Sequence, residues 1–129
     1  MQDSGTPNPM KRHETPPTHS MTADHRLIFC TCPDEATAGR IAEALVEEHL
    51  AACANLLPGI TSIYRWEGRI QRDPEVLLMI KTTRERVATL TERLRTLHPY
   101  EIPEIIAVPV TEGLPDYLSW VTTCTDHNN

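Results

Sequence analysis

Cys30 and Cys32 stand two residues apart in the run Leu27-Ile28-Phe29-Cys30-Thr31-Cys32. On a strand, that spacing aims both side chains at the same face, and two thiolates so placed suit a soft ion such as Cu(I) or Zn. Buried free cysteines equally serve as small core hydrophobes. A second candidate donor, His98, opens the run His98-Pro99-Tyr100-Glu101-Ile102-Pro103-Glu104. Its neutral imidazole can ligate a metal, with Glu101 or Glu104 as an oxygen donor or outer partner. At the end of a helix the same ring is also favourable through the dipole alone. His13, His19 and His25 fall in a polar N-terminal segment and read as solvated. Tyr64, Trp66, Tyr117 and Trp120 are either core filling or interface anchors, and Trp66, beside a turn, reads as the latter.

Hydrolytic chemistry finds no support. No nucleophile stands in a G-x-S-x-G turn, and the five glycines are too scattered for a phosphate loop. Asp34, Glu35, Glu67, Glu101 and Glu104 form no pattern that singles out an acid–base pair, so a non-enzymatic protein is expected. The 129 residues hold 12 basic and 18 acidic side chains, net −6, with the bases scattered. Such a chain lacks the basic face of a nucleic-acid binder. No apolar run approaches the roughly 20 residues that span a bilayer, so no membrane partner is expected. Residues 1–25 carry no apolar signal-peptide core, and the four cysteines match neither a zinc ribbon nor a CxxC motif. The expectation is a cytoplasmic chain with free thiols.

Organisation follows from composition and periodicity. Residues 1–25, with Pro7, Pro9, Pro16 and Pro17 and almost no apolar side chains, read as a disordered tail. Residues 26–125 read as one domain and 126–129 as a short tail. Leu27 to Cys32 is a strand, apolar at both parities. Pro33-Asp34-Glu35 starts a helix whose stripe is Ala38, Ile41, Ala42, Leu45 and Val46. A long strand from Ala52 to Tyr64 is interrupted at Pro58-Gly59. It turns back through Trp66-Glu67-Gly68-Arg69 into an arm to Lys81, kinked near Asp73-Pro74. In that arm Val76 to Ile80 reads as a central strand buried on both sides. Thr82 and Glu85 have capping-box spacing ahead of a second helix striped by Val87, Leu90, Leu94 and Leu97. His98-Pro99 ends it. Glu104 to Val108 is the last strand, finished by Pro109, and Leu114 to Thr123 a terminal helix.

This βαββαβ order predicts an α+β, ferredoxin-like domain: an antiparallel sheet with both main helices on one face, plus a C-terminal helix. The strands do not alternate apolar and polar residues, so the second face is expected to be covered by other subunits.

Taken in order, Cys30-Thr31-Cys32-Pro33-Asp34-Glu35, Leu50-Ala51-Ala52-Cys53-Ala54-Asn55, Tyr64-Arg65-Trp66-Glu67-Gly68, Lys81-Thr82-Thr83, His98-Pro99-Tyr100-Glu101-Ile102-Pro103-Glu104 and Tyr117-Leu118-Ser119-Trp120 resemble the CutA family of divalent-cation tolerance proteins. The resemblance spans about Leu27 to Trp120. It implies a homotrimer similar in architecture to the nitrogen-signalling PII proteins, and binding of copper or other divalent cations in a response to metal. The family's proposed copper ligands map onto Cys30 and His98, while Leu97 stands where a second histidine would be. A PII-like alternative is a signalling module that takes a small metabolite or partner protein at subunit clefts. Trp66, Glu67, Lys81, Tyr100, Glu101 and Glu104 are then the candidate cleft residues.

Overall fold

The computed structural model describes residues 24–126. The disorder expected of the N-terminal segment therefore falls outside the described residues up to position 23, as does the C-terminal tail beyond Asp126. Among these described residues seven helices and strands follow one another: β1 (His25–Cys32), α1 (Glu35–Glu47), β2 (Cys53–Trp66), β3 (Arg69–Thr83), α2 (Val87–Leu97), β4 (Ile105–Val110) and α3 (Pro115–Thr125). The sheet order is β2-β3-β1-β4, every neighbour antiparallel. This is the ferredoxin-like arrangement.

Local chemistry places the boundaries. Asp34 caps α1 by accepting the Thr37 N–H at 2.7 Å. The helix ends where His49 takes a left-handed φ of 61° and the Leu50 N–H returns to the Leu45 carbonyl. Between β2 and β3 the loop is Glu67-Gly68, both with positive φ, as a two-residue hairpin that follows strand twist demands. Thr82 and Glu85 do not form the expected capping box: the Thr82 hydroxyl donates instead to the buried Leu50 carbonyl at 2.7 Å. A 3-10 turn, Arg84–Arg86, intervenes, and α2 starts at Val87 without a side-chain cap.

Other expectations shift. Strand β3 runs unbroken through Asp73-Pro74. Pro109 lies inside β4 rather than ending it, opposite Arg26; an edge strand tolerates the missing N–H. His25, read with the solvated tail, is the first residue of β1 and is buried. Its Nε2 lies 2.8 Å from the Leu118 carbonyl and 2.9 Å from the Thr122 hydroxyl, which straps β1 to α3.

The core sits between the sheet and the α1/α2 pair. Ile28, Cys30 and Cys32 of β1 and Val76, Leu78 and Ile80 of β3 pack there with Ile41, Leu45, Leu90 and Leu94. The opposite face carries Leu27, Phe29, Leu77 and Met79, all only half-buried within the chain, so Val76 to Ile80 is not buried on both sides by its own protomer. Helix α3 packs on that face against β3 and β1 and covers part of it.

A pH dependence follows from α3. Burial, followed by the neighbouring Cys53, pushes the Tyr117 phenol from its ordinary 10 up to about 12. The folded chain then holds that proton longer than the unfolded chain does. The contribution to stability is full below about pH 10 and is lost as pH climbs through about 12. Denaturant unfolding across this window should show the decline, and Tyr117→Phe should make it shallower. An identical profile in the variant would contradict the assignment.

Candidate metal centre and adjoining cavity

The period-two pleat of β1 sends Cys30 and Cys32 to the helix-covered face, where both are 0% exposed. The C-terminus of α2 delivers His98, 7% exposed, to the end of the same strand. One donor atom from each of Cys30, Cys32 and His98 lies within 4.8 Å of the others. Cys30 and His98, the positions the resemblance implies, are thus brought together, and Cys32, the other thiol of the sequence pair, lies with them.

His98 is held by its backbone surroundings. Strand β4 pairs with β1 only as far as Cys30↔Ile105, so the Thr31 carbonyl lies past the end of that ladder. His98 Nε2 lies 2.8 Å from it, while Nδ1 accepts the Tyr100 N–H at 3.1 Å. The second bond requires a lone pair on Nδ1, which leaves the proton on Nε2 to be donated to Thr31. The Tyr100 ring also packs against the imidazole at a tilt of 54°, with ring centroids 4.7 Å apart. The two thiols are linked as well. A hydrogen bond to Cys32, then burial and the charges of Cys32, Glu104 and Glu75, push the Cys30 thiol far above its usual range. Cys32 is lowered by the same bond, against its own burial.

On the other face lies a cavity of about 640 Å³. Ser62, Tyr64 and Trp66 of β2, Asp73 and Glu75 of β3, and Tyr100 to Glu104 of the loop before β4 line it, with Thr31 between them. A one-residue bulge builds this wall. Leu57 pairs with Leu77, but the next pair is Ile60 with Glu75. The extra residue, at Pro58-Gly59 where Gly59 has φ 85°, moves even-numbered residues of β2 onto the face that odd-numbered ones hold before it. Ser62 consequently stands opposite Asp73. Tyr100 donates to buried Glu75 at 2.6 Å, and Tyr64 to Asp73. Among the described residues, four carboxylates and no lysine or arginine line the cavity.

Of the candidate cleft residues, Trp66, Tyr100, Glu101 and Glu104 line this cavity. Glu67, in the hairpin turn, and Lys81 do not. The Lys81 ammonium donates to Asn55 Oδ1 and Cys53 Sγ, because residue 81 of β3 lies opposite Cys53 of β2, several residues from the bulge. Leu97 is half-buried against the core and borders a shallow groove with Arg40 and Glu47 of α1. The sequence reading missed Asp73, Glu75 and Tyr64. Glu75, an acid at the head of an apolar run, was the available signal.

Comparison with known proteins gives a consistent answer. The family described as CutA1 divalent ion tolerance protein matches residues 26–124. Protein CutA of Mus musculus is 56% identical over 98 residues, which cover 76% of this chain and 55% of that protein. The chain thus spans about half the length of this curated relative. The divalent-cation tolerance protein CutA of Thermus thermophilus is 52% identical over 95 residues, covering 74% of this chain and 92% of that protein. The crystal structure of CutA from Xylella fastidiosa superposes with a TM-score of 0.79 at 50% identity, covering 81% of this chain and all of that one.

Removing the Tyr100 hydroxyl isolates the bond at the cavity floor. Tyr100→Phe leaves the buried Glu75 carboxylate short of a donor and should cost roughly 1–3 kcal/mol in denaturant unfolding. Tyr64→Phe, which breaks the comparable bond at an exposed site, should stay within about 0.5 kcal/mol. Equal losses in the two variants would contradict the distinction.

Proposed function

The chain belongs to the CutA1 family of divalent ion tolerance proteins, and from that premise we propose that it is a non-enzymatic copper-binding protein acting in the response to metal ions. The observation that carries the reading is the convergence of Cys30, Cys32 and His98 at one buried point. Soft thiolate with borderline imidazole is a donor set that suits copper. The residues fit such an ion in donor type, and each has an anchored neighbour: Thr31 and Tyr100 for the ring, Cys32 for the Cys30 thiol. The acidic cavity beside the site raises the local concentration of cations.

A PII-like metabolite cleft is the second reading, favoured by the cavity itself. Its four carboxylates disfavour phosphate-bearing ligands, so a metabolite in this position would be neutral or cationic.

The assembly that accompanies either reading is a homotrimer. Its support within the chain is the second sheet face, where Leu57, Ile106 and Val108 are exposed in register with half-buried Leu77, Phe29 and Leu27. Covering several hundred Å² of such surface is worth on the order of 10 kcal/mol before association entropy. The number three comes from the family resemblance.

Two measurements test these readings. Isothermal calorimetry of the full chain with copper should show weakened binding in both Cys30→Ser and His98→Ala; unchanged affinity in both would refute the site. Analytical ultracentrifugation at micromolar protein should show a trimer. A stable, folded species at the 14.6 kDa of one chain would overturn the assembly.

A further inference from the structure

We infer that Cys32 is a metal ligand in its own right, and that with Cys30 it makes this centre selective for monovalent copper over zinc. The inference rests on the Cys30–His98 reading above and adds to it a donor and an oxidation state.

Geometry supplies the first argument. A thiolate bond of about 2.3 Å in a trigonal arrangement needs donors about 4 Å apart. The three donor atoms lie within 4.8 Å of one another, so small side-chain adjustments close the triangle. Both sulfurs stand on one strand face and are 0% exposed, so the packed core holds their spacing.

Donor count supplies the second. A structural zinc site takes four ligands in a tetrahedron. Among the described residues the group holds three, and side chains packed to this degree leave little room for a water to stay as a fourth. Monovalent copper is satisfied by two or three soft donors. Two thiolates and one monovalent ion also leave a single negative charge to bury, which limits the desolvation cost.

The third argument ranks the donors. Both nitrogens of His98 are committed to backbone groups, so ligation through either one forfeits a bond to Thr31 or Tyr100. The thiols forfeit only weak sulfur hydrogen bonds, among them the 3.8 Å contact from Cys30 to the Thr31 carbonyl. The pair of cysteines therefore dominates, and the imidazole is the lesser ligand. On binding, each thiol gives up its proton to solvent, and the copper arrives already reduced, so no electron is transferred.

The test is anaerobic competition of the full chain against copper(I) bicinchoninate. Cys32→Ala should lower copper(I) affinity by about 100-fold, as Cys30→Ala does, and His98→Ala by about tenfold. Excess zinc chloride should not displace the copper. Cys32→Val, which keeps the core filled, should match Cys32→Ala. X-ray absorption at the copper edge of the unaltered protein should count two sulfur neighbours, a readout that needs no variant to fold. One sulfur, or wild-type affinity in both Cys32 variants, overturns the inference. If the Cys30 and His98 variants still lose affinity in that case, the underlying site survives. Copper(I) binding unchanged in every variant sinks both. Zinc that displaces copper overturns the selectivity.

Discussion

The candidate centre depends on the alternation of side chains along β1. Because successive residues of a strand face opposite ways, Cys30 and Cys32 lie together under the helices, while Thr31 between them borders the cavity on the other side. One strand therefore serves two chemically distinct settings, a packed core that holds both thiols and an open acidic cavity. A slip of one residue in the pairing of β1 with β3 would exchange them. The fully buried Ile28, Leu78 and Ile80 hold that register from the core side.

The same logic, run in reverse, makes the cavity. Here regularity is broken once, at Pro58-Gly59, and everything beyond the break on β2 changes face. The bulge lets a ribbon with apolar residues on one face present tyrosine, tryptophan and serine to the carboxylates of β3. A proline and a left-handed glycine in adjacent positions are what permit it, since neither residue is required to complete the ladder there.

How much of this could be read in the sequence divides along physical lines. Periodicity revealed all the main elements and, apart from the exposed Val46, both helical stripes, because burial on one face leaves a repeating trace. The Thr82–Glu85 spacing misled because a buried carbonyl, that of Leu50, competes for the same hydroxyl, and such competition is set by tertiary contact. His25 was misplaced for a related reason: its partners on α3 lie more than ninety residues away. Cys30 and His98 were recognisable by type and by resemblance. The cavity wall was only half recognisable: Glu75 and Asp73 keep one face of unbroken β3, but Ser62, Tyr64 and Trp66 of β2 come to that face only through the shift at Pro58-Gly59, which cannot be counted without the register. Lys81 shares that face of β3 with Glu75 but lies several residues along the strand, opposite Cys53.

The imidazole of His98 is tied at both ends, to the strand through Thr31 and to the following loop through Tyr100. It is thus a mechanical link between β1 and the segment that walls the cavity. A cation that recruits this ring must take one of its two tethers. If the Tyr100 tether goes, the phenol that packs against the ring and bonds Glu75 loses its reference point. Linkage is symmetric: whatever settles Tyr100 against Glu75 resists the cation to the same degree that the cation unsettles Tyr100. A buried ion and an occupant of the open cavity, which never touch, would then report on each other through a single side chain.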